Sequence, residues 1–449
     1  MQILTNRLSI IPATLLFLLL NVANAAEYKL SENLPAESAH ESPVAINMAG
    51  EEQEVRPSRK LFNFHLNSTS PFLRDSETTL DFRVMDFARD HGGSDEREAF
   101  AAGSELTFTS GKWRDRLSLG ATWHTSIGID APKDKGNTDM LAPDQSNLRV
   151  LSRAYLNYDL SETATLQMYR QDFDMPYINR QDSRMIPNTH EAYMIRNDGE
   201  QLTYIFGHIT KMKERDSERF VTMGKVAGAS DSNSGTSLAG VRYNFPNDII
   251  AGALVQNTDD VFTTTYAETN FSRRLTDSWG MQLAAQYTDQ RSNGSAKLGR
   301  FYTYSWGLSS KLSYRGAILT TAYSRIGEDA GIRRPFGGTP GFTSSMLYKF
   351  DRADEKAWRL GLSQNFTQLG LPGVSFVVNY TNGRDAKDEA GLPLGREDEI
   401  AVTADFRPQR GLLEGLWLRV RYAKGSRDNS PDDNSDLRII LSFRFGAFS

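Results

Sequence analysis

The run from Asp436 to Phe445, near the C-terminus, reads D-L-R-I-I-L-S-F-R-F. Its apolar residues mostly share one parity: Leu437, Ile439, Leu441, Phe443 and Phe445. The alternate positions carry mostly charged or hydroxyl side chains: Arg438, Ile440, Ser442 and Arg444. Because alternate side chains of a β-strand point to opposite faces, the run predicts a strand with one apolar face and one polar face. A soluble β-sandwich could contain such a strand, so the choice between fold classes depends on how often the pattern returns along the chain.

The composition of the 449-residue chain favours strands and turns, with 24 Phe, 17 Tyr, 6 Trp and 35 Gly. A net charge of −5 lacks the basic excess of a nucleic-acid-binding protein. Cysteine is absent, which excludes disulfides and thiolate metal sites. No stretch after residue 25 is apolar over the roughly 20 residues that a membrane-spanning helix needs. Residence in a membrane would therefore require strands that close into a barrel.

The N-terminal region precedes the alternating runs. Residues 1–25 resemble a secretory signal peptide, with Arg7, an apolar run from Leu8 to Leu20 and a small-residue cleavage site at Ala23–Ala25. An uncleaved anchor helix is the alternative, although the run is short for one. Residues 26–58 are rich in glutamate and are predicted to form a flexible acidic arm, with a plug or a partner-binding tail as the alternative.

Residues 59–449 are predicted to form the barrel. The alternation begins at Lys60–Asn67 and returns in about eighteen to twenty runs, each of roughly the length that a tilted membrane strand needs. In the clearest run, Tyr302–Tyr314, one face is rich in aromatic residues that a soluble protein rarely exposes to water. Polar segments at 127–147 and Phe173–Thr189 predict long loops. The chain is thus predicted to be all-β, a closed antiparallel transmembrane β-barrel of 18 strands.

Catalytic and metal-binding motifs are missing from the sequence. It contains no G-x-S-x-G, H-E-x-x-H or Walker A motif, and its six histidines lack ligand spacing. We therefore predict no catalytic residues, no metal and no cofactor; a hydrolase site built from distant residues is the alternative. The acidic run Asp428–Asp436 is predicted to be a solvated loop, with Ca²⁺ binding as its alternative.

The polar faces of several runs carry basic residues. If the apolar faces contact lipid, the following cations face the interior: Arg153, Lys311, Arg359, Arg419, Arg421, Arg438 and Arg444. Guanidinium groups bind carboxylates in a bidentate fork, and rings of basic residues select anions in pores. The alternative is that these cations pair with wall carboxylates such as Asp159 and stiffen the wall without selecting solutes.

Five segments, in this order along the chain, carry a family resemblance: Gln181–Pro187, Asp354–Trp358, Leu369–Phe376, Leu416–Ala423 and Leu437–Phe443. Together they resemble the OprD-type family of substrate-specific outer-membrane porins. The resemblance implies an 18-stranded barrel with a basic ladder along its wall and a third loop that folds inward. By position this constriction loop is Phe173–Thr189, which makes Tyr177, Asp182 and Arg184 the candidate constriction residues.

The resemblance also implies a function. Family members pass small carboxylate-bearing molecules such as amino acids, peptides and organic or aromatic acids, and some relatives pass chitooligosaccharides. We expect a passive porin in the outer membrane of a Gram-negative cell. The expected partners are small solutes, outer-membrane lipid, lipopolysaccharide and the barrel-assembly machinery, without nucleic acid. A homotrimer is possible, and the sequence does not decide between monomer and trimer. Alternatives are an oligosaccharide pore, for which Tyr155, Tyr169, Tyr177 and Trp417 are candidate stacking surfaces, a barrel hydrolase, and a structural or adhesive barrel with a blocked lumen.

Overall fold

The computed structural model describes residues 59–62, 70–91, 95–411, 413–428 and 433–447. The predicted signal peptide and acidic arm lie outside these residues. No helix in the described ranges is long and apolar enough to span a membrane. The helical segments that occur there are short: Pro71–Arg74, Met223–Val226, and the 3₁₀ turns Lys133–Lys135 and Thr367–Leu369.

Eighteen long strands, all within the described ranges, form one sheet. They are β1 (Glu77–Asp90), β2 (Glu96–Thr109), β3 (Leu117–Asp130), β4 (Leu148–Asp159), β5 (Ala164–Gln171), β6 (Thr189–Asp198), β7 (Leu202–Lys213), β8 (Thr236–Phe245), β9 (Ile249–Thr258), β10 (Phe262–Arg274), β11 (Trp279–Ser292), β12 (Tyr302–Tyr314), β13 (Ala317–Ile326), β14 (Lys356–Asn365), β15 (Val374–Arg384), β16 (Glu397–Phe406), β17 (Leu416–Arg427) and β18 (Asn434–Ala447).

Each strand pairs antiparallel with the next one in the chain. The last strand, β18, pairs antiparallel with β1, with Phe443 opposite Phe82. The sheet therefore closes on itself and leaves no edge along its length, which is the arrangement that strands require in lipid. The predicted closed antiparallel barrel of 18 strands is confirmed.

The region around Lys60 differs from the prediction. Arg59–Phe62 forms a short strand that pairs in parallel with the end of β18, with Arg59 opposite Phe445, and it is not one of the eighteen. The β17–β18 ladder ends at Leu416 and Phe443, so the last residues of β18 extend beyond it and pair with Arg59–Phe62. Alternation alone cannot distinguish this added strand from a wall strand. Without this added strand in the count, the Phe173–Thr189 segment follows the fifth barrel strand.

The two faces of the wall have different compositions. On β12 the side chains of Tyr302, Leu308 and Leu312 are exposed, whereas Thr303 and Ser305 between them are buried. The same parity holds on β14, where Trp358 and Leu360 are exposed. The exposed apolar side chains form the outer, lipid-facing band, and the polar set faces the interior. The predicted assignment of faces on these strands therefore agrees with the structure.

The two ends of the barrel differ in the length of their connections. At one end they are short, and the turn Arg315–Gly316 has positive φ at both residues (46° and 84°), as a two-residue hairpin requires. The other end carries the long connections 131–147, 172–188, 214–235 and 327–355. Short turns are typical of the periplasmic side and long loops of the extracellular side. The 172–188 loop contains a small hairpin, Asp174–Met175 paired with Ile178–Asn179, and Val221–Thr222 adds a short strand beside β7.

Candidate pore and its inward loops

The 172–188 loop lies inside the barrel and spans its interior. Arg83 of β1 contacts Asp182 at 2.6 Å, and the Tyr177 hydroxyl lies 2.8 Å from the Thr288 hydroxyl of β11. Arg83 and Thr288 have the opposite parity to their lipid-facing neighbours Phe82 and Tyr287, so both point inward. Since β1 and β11 lie on nearly opposite sides of an 18-strand ring, the loop crosses from one wall to the other.

Tyr177 anchors the tip of this loop. It has φ of +64° and is 4% exposed, and its ring meets that of Tyr266 edge to face at 6.3 Å. The Gln256 side chain of β9 donates to the Pro176 carbonyl at 2.6 Å. Burial raises the pKa of Tyr177 to about 12, so the phenol stays neutral at physiological pH. Tyr177 therefore anchors the loop with a side chain that is almost fully buried.

Arg184 and Asp182 lie at the other end of the loop. Arg184 is 4% exposed, donates from Nε to the Thr138 carbonyl at 3.0 Å and lies over the Phe87 ring at 4.4 Å. Burial, together with the nearby arginines 438 and 215, lowers the pKa of its guanidinium. Asp182, paired with Arg83, keeps 26% of its side chain exposed. Of the three predicted constriction residues, Asp182 thus has the most exposed side chain.

An apolar seam that the sequence analysis missed joins this loop to the wall. Met185 and Ile186 pack with Met140 and Leu141 of the 131–147 loop. The wall contributes Met85, Phe87, Ala99, Ala101, Leu148, Val150 and Ile440. These wall residues interrupt the polar face near the extracellular ends of β1, β2, β4 and β18. That interruption was visible in the sequence as apolar residues at polar-face positions, and it marks the inner surface that a loop covers.

Arg153 is one of several predicted pore cations that are paired with carboxylates. It contacts Glu105 of β2 at 2.7 Å and Asp172 of the loop at 3.5 Å. Arg180, within the loop, contacts Asp174 at 3.0 Å. Burial alone would lower the pKa of Arg180, but the carboxylates of Asp174 and Asp172 outweigh it and raise that pKa. The base of the loop is therefore fastened to β2 and β4 by alternating charges.

The remaining predicted cations also have the predicted inward parity. Arg419 binds both oxygens of Asp405 (2.7 and 3.0 Å) and lies 4.6 Å from the Trp417 ring centroid. Arg438 is 4% exposed and binds both oxygens of Asp436. Lys311 and Arg421 lie half-buried on β12 and β17. Arg444 binds Asp81 at 2.8 Å, whereas Asp159, the partner suggested from the sequence, pairs with Lys112 instead.

Arg359 has a different environment, because it is covered by the 327–355 loop. Its guanidinium donates to the carbonyl oxygens of Thr343 and Ser344 and to the Thr381 hydroxyl at 3.1 Å. The next residues of the loop bind Glu399 of β16. The 327–355 loop also meets the 172–188 loop, where the Asn179 side chain donates to the Gly338 carbonyl at 2.9 Å and accepts from the Gly338 amide at 2.8 Å.

A polar pocket of about 200 Å³ lies where four extracellular loops converge. It is lined by Asp139, Gln181, Asn188, Met212, Glu214, Arg215, Asp216, Arg334, Pro335 and Gly337. Arg215 binds Asp139 at 2.7 Å. Burial and the neighbouring carboxylate of Asp139 raise the pKa of Asp216. The extracellular mouth therefore contains charges of both signs.

The described residues contain no cluster of three or more histidine and carboxylate side chains suited to hold a metal ion. In the run predicted as a solvated or Ca²⁺-binding loop, Asp436 belongs to β18 and binds Arg89 and Arg438. Residues 429–432 lie outside the described ranges. Asp436 is therefore part of the wall.

Comparison with known proteins identifies the family. The family model described as "outer membrane porin, OprD family" matches residues 70–446. The chain belongs to the OprD family. This OprD-family protein is accordingly an outer-membrane porin of the Gram-negative type, as the sequence predicted. Porin D of Pseudomonas aeruginosa is 23% identical over 410 residues, covering 83% of this chain and 91% of that protein.

Other relatives agree with this assignment. The porin-like protein GalP of Pseudomonas putida is 23% identical over 390 residues, covering 83% of this chain and 92% of that protein. Among solved structures, OccK9 (OpdG) of Pseudomonas aeruginosa superposes with a TM-score of 0.76 at 23% identity, covering 83% of this chain and 99% of that one. OccAB2 of Acinetobacter baumannii gives a TM-score of 0.76 at 19% identity, covering 84% and 99%. At such identities the superpositions establish the barrel fold.

Proposed function

We propose that this porin passes small carboxylate-bearing solutes, such as amino acids, peptides and organic or aromatic acids, by passive diffusion along a path lined in part by basic residues. The observation that carries the proposal is the inner face of β17, where Arg419 and Arg421 lie two residues apart with the same inward parity. Arg419 keeps 21% of its side chain exposed although it is paired with Asp405. A passing carboxylate can exchange with Asp405 because the guanidinium stays paired throughout.

The 172–188 loop supports a selective path in this proposal. Tyr177 and Arg184, both buried, position the loop from opposite walls, and Asp182, which keeps 26% of its side chain exposed, pairs with Arg83. The loop would narrow the channel and present charges of both signs to the solute. Arg153, Lys311 and Arg438 remain predicted pore cations of the wall, and among them Arg438 contributes through a buried ion pair with Asp436. Arg359, also predicted as a pore cation, is covered by the 327–355 loop.

A planar-bilayer measurement tests this function. Wild-type protein is expected to conduct, and its reversal potential in a salt gradient is expected to indicate a preference for anions. Replacing both Arg419 and Arg421 by Ala should move that preference toward cations, because two inward positive charges are lost. The matched control is Arg74→Ala, which removes an exposed arginine that pairs with Asp75 outside the barrel wall. Absence of any channel in the wild type would overturn the proposal. Unchanged ion selectivity in the double variant would show that Arg419 and Arg421 do not select solutes.

The oligosaccharide alternative depends on accessible aromatic rings. Tyr177 and Trp417 are buried, at 4% and 7% exposed, and arginines 407 and 419 lie over the Trp417 ring. The burial of Tyr177 and Trp417 favours the carboxylate proposal, since a sugar stacks on an open aromatic face. Of the other two candidate rings, Tyr155 is half-buried and Tyr169 is 45% exposed. Swelling of protein-containing liposomes in neutral oligosaccharides, compared with carboxylates of similar size, separates the two.

Three further expectations stay predictions. The protein is proposed to be a channel and not a hydrolase, so purified protein should conduct without turning over ester or peptide substrates. Contact with lipopolysaccharide and with the barrel-assembly machinery follows from residence in the outer membrane. Association into a homotrimer is tested by the mass of the detergent-solubilised particle.

A further inference from the structure

One buried carboxylate holds a turn of the 327–355 loop against the inner wall. Glu399 of β16 is fully buried. Its neighbour Ile400 is exposed on the lipid face, so Glu399 points inward. It accepts four hydrogen bonds from the segment 344–348, hereafter the 344–348 turn: from the Ser345 hydroxyl (2.7 Å) and from the amides of Met346 (2.8 Å), Leu347 (3.0 Å) and Tyr348 (2.8 Å). Hydrogen bonds to an ionised carboxylate are about twice as strong as neutral ones.

The opposite charge binds the other side of the same segment. Arg359 of β14 donates to the carbonyl oxygens of Thr343 and Ser344. A carboxylate therefore holds the amide groups and a guanidinium holds the carbonyl groups that precede them. Each charge is buried with hydrogen-bonding partners that the turn supplies, which offsets the cost of removing it from water. If the turn left the wall, both charges would lose most of these partners.

The wall beneath the turn is made of small residues. On β14 to β17 the inward positions near the extracellular end include Ala357, Gly383, Ala401, Ala423 and Gly425. Met346 packs on Ala401 and Ala423. A Cβ added at Gly425 would lie 2.5 Å from the Tyr348 ring, and one at Gly383 would lie 2.7 Å from the Phe350 ring. These positions leave room that the 344–348 turn and the residues after it fill.

We propose that Glu399 and Arg359 are positioning residues, which hold the 344–348 turn against β14–β17 and thereby set the width and the charge of the solute path. Arg359 was predicted from the sequence to line the pore. In the docked state the turn covers it, so the pore does not use its charge for selection. This inference rests on the proposed function, because it presumes that the barrel conducts.

The variant Glu399→Gln tests the proposal in a planar bilayer. A glutamine keeps one acceptor oxygen but turns an amino group toward backbone amides that are themselves donors. The turn should then leave the wall for part of the time, giving a state of higher conductance. For each charge-assisted hydrogen bond lost, the population of that state should rise by roughly tenfold. Anion preference should also rise, because the released turn uncovers Arg359.

A second pair of variants separates movement of the turn from loss of charge. Glu268→Gln removes an inward carboxylate on β10, where its partner is the Tyr266 hydroxyl (2.8 Å) and not the turn. It should keep the wild-type conductance. Arg359→Ala should raise conductance by releasing the carbonyl groups, without increasing anion preference.

An engineered disulfide supplies a rescue. The chain has no cysteine, so Met346→Cys with Ala401→Cys creates a single pair at a packing contact between the turn and β16. In the Glu399→Gln background, oxidation should restore the wild-type conductance, and reduction should return the state of higher conductance. The oxidised pair in the wild-type background should leave conductance unchanged. This rescue also shows that the Glu399→Gln barrel is folded.

The outcomes distinguish this inference from the proposed function. A wild-type protein that forms no channel overturns the proposed function. A wild type that conducts, with Glu399→Gln indistinguishable from it, overturns the inference alone. So does a Glu268→Gln variant that matches Glu399→Gln, because charge loss would then explain both. Failure of oxidation to restore the wild-type conductance equally removes the turn as the cause.

Discussion

The 172–188 loop and the 344–348 turn both lie inside the barrel, but they are attached in different ways. The 172–188 loop has many separate attachments: Tyr177 on the β10–β11 side, the Arg83–Asp182 pair on β1, and the apolar seam around Ile186. Most polar contacts of the 344–348 turn converge on two wall residues, Glu399 and Arg359. The 172–188 loop is therefore held by several independent contacts, and the 344–348 turn mainly by one pair of opposite charges.

This difference has a physical consequence. Contacts that are far apart contribute almost independently, so losing one of them leaves the others intact. Contacts that share one carboxylate are lost together. A single polar substitution should therefore disturb the 344–348 turn more than the 172–188 loop, unless it removes an anchor that also fills space.

Tyr177 is such an anchor and should have the largest effect. Tyr177→Ala removes a buried aromatic side chain, which costs about 3–5 kcal/mol at comparable sites, and should release the loop tip. Hydrogen exchange of residues 172–188 should accelerate and channel conductance should rise. Tyr177→Phe is the matched control, since it loses mainly the bond to Thr288, worth about 1 kcal/mol. If the two variants behave alike, the ring is not the anchor.

Gly425 tests whether the 344–348 turn depends on a wall of small residues. Gly425→Val places bulk against the Tyr348 ring, and overpacking of this kind costs about 1–3 kcal/mol. Conductance should rise as in Glu399→Gln. Ala404→Val adds comparable bulk at an exposed position of β16 and should leave conductance unchanged. An unaltered Gly425→Val channel would mean that the turn tolerates displacement of Tyr348.

Asp182 tests redundancy in the 172–188 loop. Asp182→Asn should lower the free energy that holds the loop by less than about 1 kcal/mol, as for a partly exposed ion pair. Arg83 would keep its bond to the Arg184 carbonyl. Hydrogen exchange of the loop should barely change, with Asp75→Asn, in an exposed pair with Arg74, as the reference. Rapid exchange across the whole loop would contradict distributed attachment.

The smallest expected effect is a pH dependence of the stability of the 214–235 loop, which lies beside the 172–188 loop. Burial, and then the Asp139 carboxylate, raise the pKa of Asp216 above its ordinary value of 3.8. The folded state then binds more protons than the unfolded state, so stability falls as pH rises above about 4. Asp216→Asn should slow hydrogen exchange of residues 214–235 at pH 7 and have no effect near pH 3. Slower exchange at both pH values would mean that the added stability does not come from removing the ionised carboxylate of Asp216.

Much of the fold could be predicted from the sequence, because the two-residue period of a strand fixes which side chains face lipid and which face the interior. The inward direction of Arg153, Arg359 and Arg419 follows from parity alone, and the structure agrees with it. Their partners could not be predicted in the same way. Asp405 is on the strand adjacent to Arg419, so predicting this pair needed the strand register. Arg359 contacts Thr381 on its neighbouring strand, but its other partners belong to the loop that precedes β14 and folds back over it.

The closed barrel and the lipid-facing side of its strands could be predicted from the sequence, because lipid demands paired backbone groups and apolar outer side chains. Alternation alone left the strand number at about eighteen to twenty. The folded structure was needed to show that Lys60 belongs to an added parallel strand, that Tyr177 and Arg184 are buried, and that Arg359 is covered. These depend on where loops return across the interior. A returning loop is guided by the shape and charge of a wall built from strands far apart in the chain, and local periodicity carries no record of that wall.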